Sequence, residues 1–162
     1  MTIINVGMGE IQVSKSQGTY LAAPGLGSCI GVTVYDPKVK VAGMVHVVLP
    51  DSSNSNKEIT SPGKYADTAI PELLDKVTKL GAIKSNLIVK ISGGAQMFNL
   101  EKGGNILNIG MRNNIAVKAA LSKEGLILKA ADVGGNKGRT VKLEVSTGRV
   151  SVRIIGQQEI EL

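Results

Sequence analysis

The chain contains one cysteine, Cys29, and one histidine, His46. A thiol is nucleophilic as its thiolate, and a neighbouring imidazole is a common base for taking the proton. If this chain performs Cys/His chemistry, the identity of both participants is fixed. The same counts argue against a structural zinc site, which takes several Cys or His ligands. Cys29 follows the turn Gly25-Leu26-Gly27-Ser28 and opens an apolar run. Glycines allow the chain to turn sharply, and backbone N–H groups at Gly27 and Ser28 are candidates to hold an oxyanion. A thiol activated by His46 is expected to titrate well below the ordinary value of about 8.5.

Two plainer readings stand beside this one on pattern alone. A lone cysteine is commonly a small buried hydrophobe. A lone histidine in a strand is commonly a core residue held by one hydrogen bond.

The elements that must position this pair are short runs rich in Val and Ile. Residues 3–6 and 11–13 open the chain as strands, and 29–35 places Ile30, Val32 and Val34 on one side. Residues 41–49, which contain His46, are almost continuously apolar, so both faces are expected to be covered. Asp36-Pro37-Lys38 reads as a turn joining the two runs as antiparallel neighbours. Further strands fall at 87–91 and 127–131. Val141, Leu143 and Val145 alternate before the turn Ser146-Thr147-Gly148, and Val150, Val152 and Ile154 resume the alternation, as a hairpin does.

Two helices are predicted. The first covers 64–80, ends before Gly81 and carries Pro71, which removes a backbone hydrogen bond. The second covers 112–123, with Ile115, Ala116, Ala119 and Ala120 on its apolar side. Strands outnumber helices without strict alternation, which predicts a mixed α/β fold with helices packed on a largely β core. The polar stretch 51–63 reads as a long loop, and Ser92-Gly93-Gly94-Ala95 and residues 132–140 as glycine-rich turns or sites of close backbone approach.

The length of 162 residues suggests one domain spanning 1–162. Residue usage is that of an ordinary globular protein. With one cysteine no intramolecular disulfide is possible, and the opening residues MTIINVGMGE lack the pattern of a signal peptide. The longest apolar stretch is far shorter than the roughly 20 residues of a membrane span. Together these predict a cytoplasmic protein without membrane insertion. The net charge of +6 is spread along the chain, and aromatic platforms between basic residues are lacking, which argues against nucleic acid as a partner. An acidic protein partner fits the charge at least as well. Gly25, Gly27 and Gly31 are followed by β-branched residues rather than a helix, which argues against a dinucleotide fingerprint.

Across nearly the whole length the sequence resembles the chemoreceptor glutamine deamidases, the CheD family. The matching segments, in the family's order, are GLGSCIGV (25–32), AGMVHVVLPDSS (42–53), KYADTAI (64–70), ISGGAQMF (91–98), IGMRN (109–113) and GGNKGRT (134–140). The resemblance implies a layered α-β-β sandwich, similar also to the catalytic domain of cytotoxic necrotizing factor toxins. It implies hydrolysis of glutamine side-chain amides in the cytoplasmic helices of chemotaxis receptors, with Cys29 as nucleophile, His46 as base, no cofactor and no metal. It also implies a CheC-type phosphatase as a partner. The sequence departs from the family at Ala23, where a threonine hydroxyl is usual as third catalytic member, and at Val133, where threonine is expected. Thr19, Ser28, Asn136 or a backbone carbonyl are candidates to orient His46 instead. The absent hydroxyl motivates an alternative, a catalytically weak regulator acting in chemotaxis adaptation through the phosphatase.

Overall fold

The computed structural model describes residues 1–53, 59–97 and 108–162. The centre of the polar loop, 54–58, and Phe98 at the end of the ISGGAQMF segment lie outside them.

Alternating and continuous apolar runs become ten described strands in two five-stranded sheets. One sheet has the order β1-β3-β8-β9-β10, from β1 (Thr2–Asn5), β3 (Thr19–Leu26), β8 (Arg139–Glu144), β9 (Val150–Ile154) and β10 (Ile160–Glu161). The other has the order β2-β5-β4-β6-β7, from β2 (Ile11–Ser14), β5 (Val41–Val47), β4 (Ile30–Asp36), β6 (Ile88–Gly93) and β7 (Leu128–Val133). Pairing is antiparallel except for β1 with β3 and β6 with β7. β4 and β5 are buried throughout. That burial on both faces explains their unbroken apolar sequences.

Each face of the β4–β5 pair serves a different layer. Ile30, Val32, Val34, Val41, Val45 and Val47 face the helices, packing with Ile70, Leu73 and Val77 of α1 (Ala66–Lys79) and Val117 and Leu121 of α2 (Ile109–Lys123). Cys29, Tyr35, Ala42 and Met44 belong to a second cluster shared with Leu21, Ala23, Leu143 and Val152 of the other sheet. The result is an α-β-β sandwich, as expected. Among the described residues no helix is long and apolar enough to cross a membrane.

The helices differ from expectation in detail. α1 begins at Ala66, after a 3₁₀ turn at Pro62–Lys64, and accommodates Pro71 on its exposed side. α2 begins at Ile109 rather than 112, and the face it buries is Gly110, Asn113, Val117 and Leu121. Ile115, predicted on the apolar side, is 61% exposed. The cause is the first turn. A Cβ on Gly110 would overlap the carbonyls of Gly94 and Ala95. That approach fixes the rotation of the helix, turning polar Asn113 inward and Ile115 out.

Candidate active site

In the β4–β5 ladder Ile30 pairs with Val47 and Gly31 with His46. Opposed residues share a face, as do residues two apart along one strand. Cys29 precedes Gly31 by two, so Cys29 and His46 project from the same face, as diagonal neighbours. That face is the one between the two sheets, where Cys29 packs with Ala23 and Leu26.

The β1–β2 connection closes over His46. Gly9 N–H donates to the His46 carbonyl at 2.8 Å, and His46 N–H donates to the Glu10 carbonyl at 3.1 Å. The turn itself is held by a 2.8 Å bond from Gly7 N–H to Glu10 Oε1. Its first residue reaches the ring: His46 Nδ1 lies 3.0 Å from the Val6 carbonyl oxygen. A carbonyl only accepts, so Nδ1 carries the hydrogen. In the neutral ring Nε2 is then the unprotonated atom, free to act as a base.

The turn before Cys29 is held from behind by three successive carbonyls. Ala95 N–H donates to the Gly27 carbonyl and Gly94 N–H to the Cys29 carbonyl, both at 2.8 Å. Asn113 Nδ2 donates to the Ser28 carbonyl at 2.9 Å. The Ser92–Ala95 segment can lie this close because Gly93 has a φ of +116° and no side chain; a Cβ there would overlap the Cys29 carbonyl. Of the two readings of that glycine cluster, close backbone approach, here to the turn before Cys29, is the one observed. A second loop backs the first: Gly134 N–H donates to the Gly93 carbonyl at 2.9 Å and Gln96 N–H to the Gly135 carbonyl at 2.8 Å. Arg139, 3% exposed, organises this second loop by donating to the Asp132 carbonyl at 2.8 Å, to Asp132 Oδ2 at 3.2 Å and to the Gly134 carbonyl.

Burial governs the electrostatics. Cys29 is 8% and His46 3% exposed. Burial pushes the Cys29 thiol above its ordinary value. Burial also holds His46 below its ordinary value, outweighing the Val6 hydrogen bond and the Glu10 charge, which act in the other direction. The expectation of a depressed thiol is therefore not met in the free chain. Desolvation disfavours the charged form of each group.

The CheD family model, described as chemotactic sensory transduction, matches residues 48–154. The chain belongs to the CheD family. Curated CheD relatives extend the likeness to almost the full length. The protein of Desulforamulus reducens is 44% identical over 94% of this chain and 91% of its own. That of Symbiobacterium thermophilum is 46% identical over 97% and 95%, and that of Clostridium botulinum strain Alaska E43 is 45% identical over 99% and 98%. Each is named "Probable chemoreceptor glutamine deamidase CheD". Among solved structures, the C-terminal domain of CNFy from Yersinia pseudotuberculosis is similar at a TM-score of 0.44 and 11% identity, covering 99% of this chain and 62% of that one.

Ala23, the position the sequence singled out for its missing hydroxyl, is fully buried in β3, and its methyl lies 3.9 Å from where a Cβ on Gly31 would stand. It thus borders the strand position opposed to His46 but offers no hydroxyl. Of the candidates to replace it, Thr19 pairs with Thr2 at the far end of β3, and Asn136 is exposed in the β7–β8 connection. Ser28 stands half-buried in the turn beside Cys29. The contact with the ring comes from the Val6 carbonyl. No side-chain signal could have singled out Val6, since the group involved is one every residue carries. Asn113 and Arg139 stood inside the quoted CheD segments without an assigned role.

Proposed function

We propose that this chain, as one domain spanning 1–162, hydrolyses the side-chain amide of glutamines in chemoreceptor helices to glutamate and ammonia, with Cys29 as nucleophile and His46 as base. The observation that carries the reading is the placement of both residues on one face of adjacent strands, with His46 Nδ1–H committed to Val6 so that Nε2 is the basic atom. The names of the CheD relatives supply the substrate class.

The reaction needs no group beyond water. As Cys29 Sγ attacks the carboxamide carbon, its proton passes to His46 Nε2 and the carbonyl electron pair moves onto oxygen. Backbone N–H groups of the turn at Gly27, Ser28 and Cys29 are the candidate oxyanion donors. The imidazolium returns the proton to the departing nitrogen, the C–N bond breaks and ammonia leaves a thioester. Water then attacks that thioester with His46 again as base, and glutamate and the free thiol result.

The receptor helices lie in the cytoplasm, which places this reading there. The CheC-type phosphatase remains part of the proposal as a binding partner. The regulator reading rested on the missing hydroxyl at Ala23, and the Val6 carbonyl removes much of that motive.

The test is ammonia release from a purified chemoreceptor cytoplasmic fragment by wild type, Cys29→Ala and His46→Ala. Release by wild type alone, with each variant at least about a thousandfold slower, is the expected result. Wild-type rates in Cys29→Ala would overturn the assignment.

A further inference from the structure

The β4–β5 ladder ends at Ile30 paired with Val47. One step further the strands diverge, as Val48 N–H turns to the Lys64 carbonyl at 3.0 Å. The amide of Asn113 bridges that gap. Its Nδ2 donates to the Ser28 carbonyl at 2.9 Å and to the Val48 carbonyl at 2.9 Å. Ser28 immediately precedes the nucleophile, and Val48 lies two residues beyond His46. Asn113 is 0% exposed, and its Oδ1 is buried with no partner among the described residues. A buried amide that leaves one of its own polar atoms unsatisfied is costly for a fold to keep. Both of its donors act on the two segments that carry the catalytic pair.

The consequence lies in the peptide joining Ser28 to Cys29. A trans peptide is planar, and its N–H points opposite to its C=O. Drawing the Ser28 carbonyl toward α2 therefore aims the Cys29 N–H away from α2, to the side on which Cys29 packs between the sheets. Among the described residues no turn or loop acceptor takes up the Cys29 N–H. We infer that Asn113 is a positioning residue that orients the Ser28–Cys29 peptide so that the Cys29 N–H receives the developing oxyanion. The inference rests on Cys29 being the nucleophile. Both Nδ2 hydrogens are engaged, so Asn113 acts through the peptide and not on the substrate. As the S–C bond forms, the amide carbonyl's electron pair moves to oxygen and is met by a donor already in place.

Attack on an amide creates an oxyanion, whereas alkylation of the same thiol by iodoacetamide displaces iodide and creates none. Asn113→Ala is measured in both reactions. In receptor deamidation, kcat is expected to fall about a hundredfold with KM held within about threefold. Iodoacetamide alkylation of Cys29 is expected to stay within about twofold of wild type, since thiol and base are untouched. If Asn113→Ala melts below the assay temperature, Asn113→Ser keeps one donor and shows the same split with a loss of about tenfold. A parallel fall in both reactions makes Asn113 a structural support only and overturns the inference, as does an unchanged kcat. Wild type and Cys29→Ala run alongside. Deamidation by Cys29→Ala, or none by wild type, sinks the nucleophile assignment itself, independently of what the Asn113 variants do.

Discussion

His46 and Val6 stand 40 residues apart in the chain and are joined by a 3.0 Å hydrogen bond from the imidazole Nδ1–H to the main-chain carbonyl. The partner is a backbone atom of a turn that is itself pinned to both the N–H and the carbonyl of His46. The ring is thus oriented by main chain. Introducing a hydroxyl by Ala23→Thr is expected to change kcat by less than about threefold, because Nδ1 already has its acceptor. The added atoms enter a fully buried site and should cost about 1–3 kcal/mol, read as a lowered urea midpoint. A tenfold or larger gain in kcat would show that the Val6 carbonyl does not suffice.

The pH dependence follows from burial. His46 is held below its ordinary 6.5, and in the proposed mechanism its basic form is the working one. The acid limb of kcat/KM should therefore have its midpoint below 6.5. The Cys29 thiol is raised above 9.0, so iodoacetamide alkylation of the free enzyme should keep rising through pH 9. A plateau near pH 7 would reveal a preformed thiolate. The same His46 depression affects stability. The unfolded chain takes up the proton first, so the contribution is present above the unfolded value near 6.5 and is lost as pH falls through the folded value. Urea midpoints at pH 7 and 5.5 should diverge more for wild type than for His46→Gln.

Gly93→Ala tests the support behind Cys29. The new methyl meets the Cys29 carbonyl at a backbone φ of +116°. The combined overlap and strain should cost about 3 kcal/mol. Because the Cys29 carbonyl must shift, deamidation should fall further than the loss of folded protein accounts for. Activity per folded molecule equal to wild type would mean that the turn tolerates displacement.

Arg139→Lys removes the fork that gathers the β7–β8 loop. A lysine cannot serve the Asp132 carboxylate and the Asp132 and Gly134 carbonyls together in the same geometry. Asp132 is partly exposed, which tempers the loss. Destabilisation of about 2 kcal/mol is expected in denaturant unfolding. Loss within 0.5 kcal/mol, the range of an ordinary surface change, would show the loop to be held by its own backbone.

The sheet elements were readable because burial writes itself into residue type. Val41–Val47 had to be covered on both faces to be so apolar, and the 139–154 hairpin carried both its alternation and its turn. The orientation of α2 was not readable. Its apolar-looking side, with Ile115, gave way to a close approach by Gly110 that depends on a loop distant in sequence. Cys29 and His46 stood out because each is the sole residue of its kind. The groups that hold them did not. A carbonyl at Val6 and an amide turned inward at Asn113 act through position, and position is a property of the fold.

The β4–β5 register has a last consequence, for chain length. A strand presents alternate residues to opposite sides, so slipping by a single residue exchanges the two. One residue inserted in the connection between Asp36 and Val41 and absorbed by sliding β5 past β4 would send His46 toward α1 and leave Val45 or Val47 facing the thiol. The spacing between Cys29 and His46 thus behaves as a parity, and the proposed chemistry tolerates length changes in that turn only where they keep His46 on the side of Cys29.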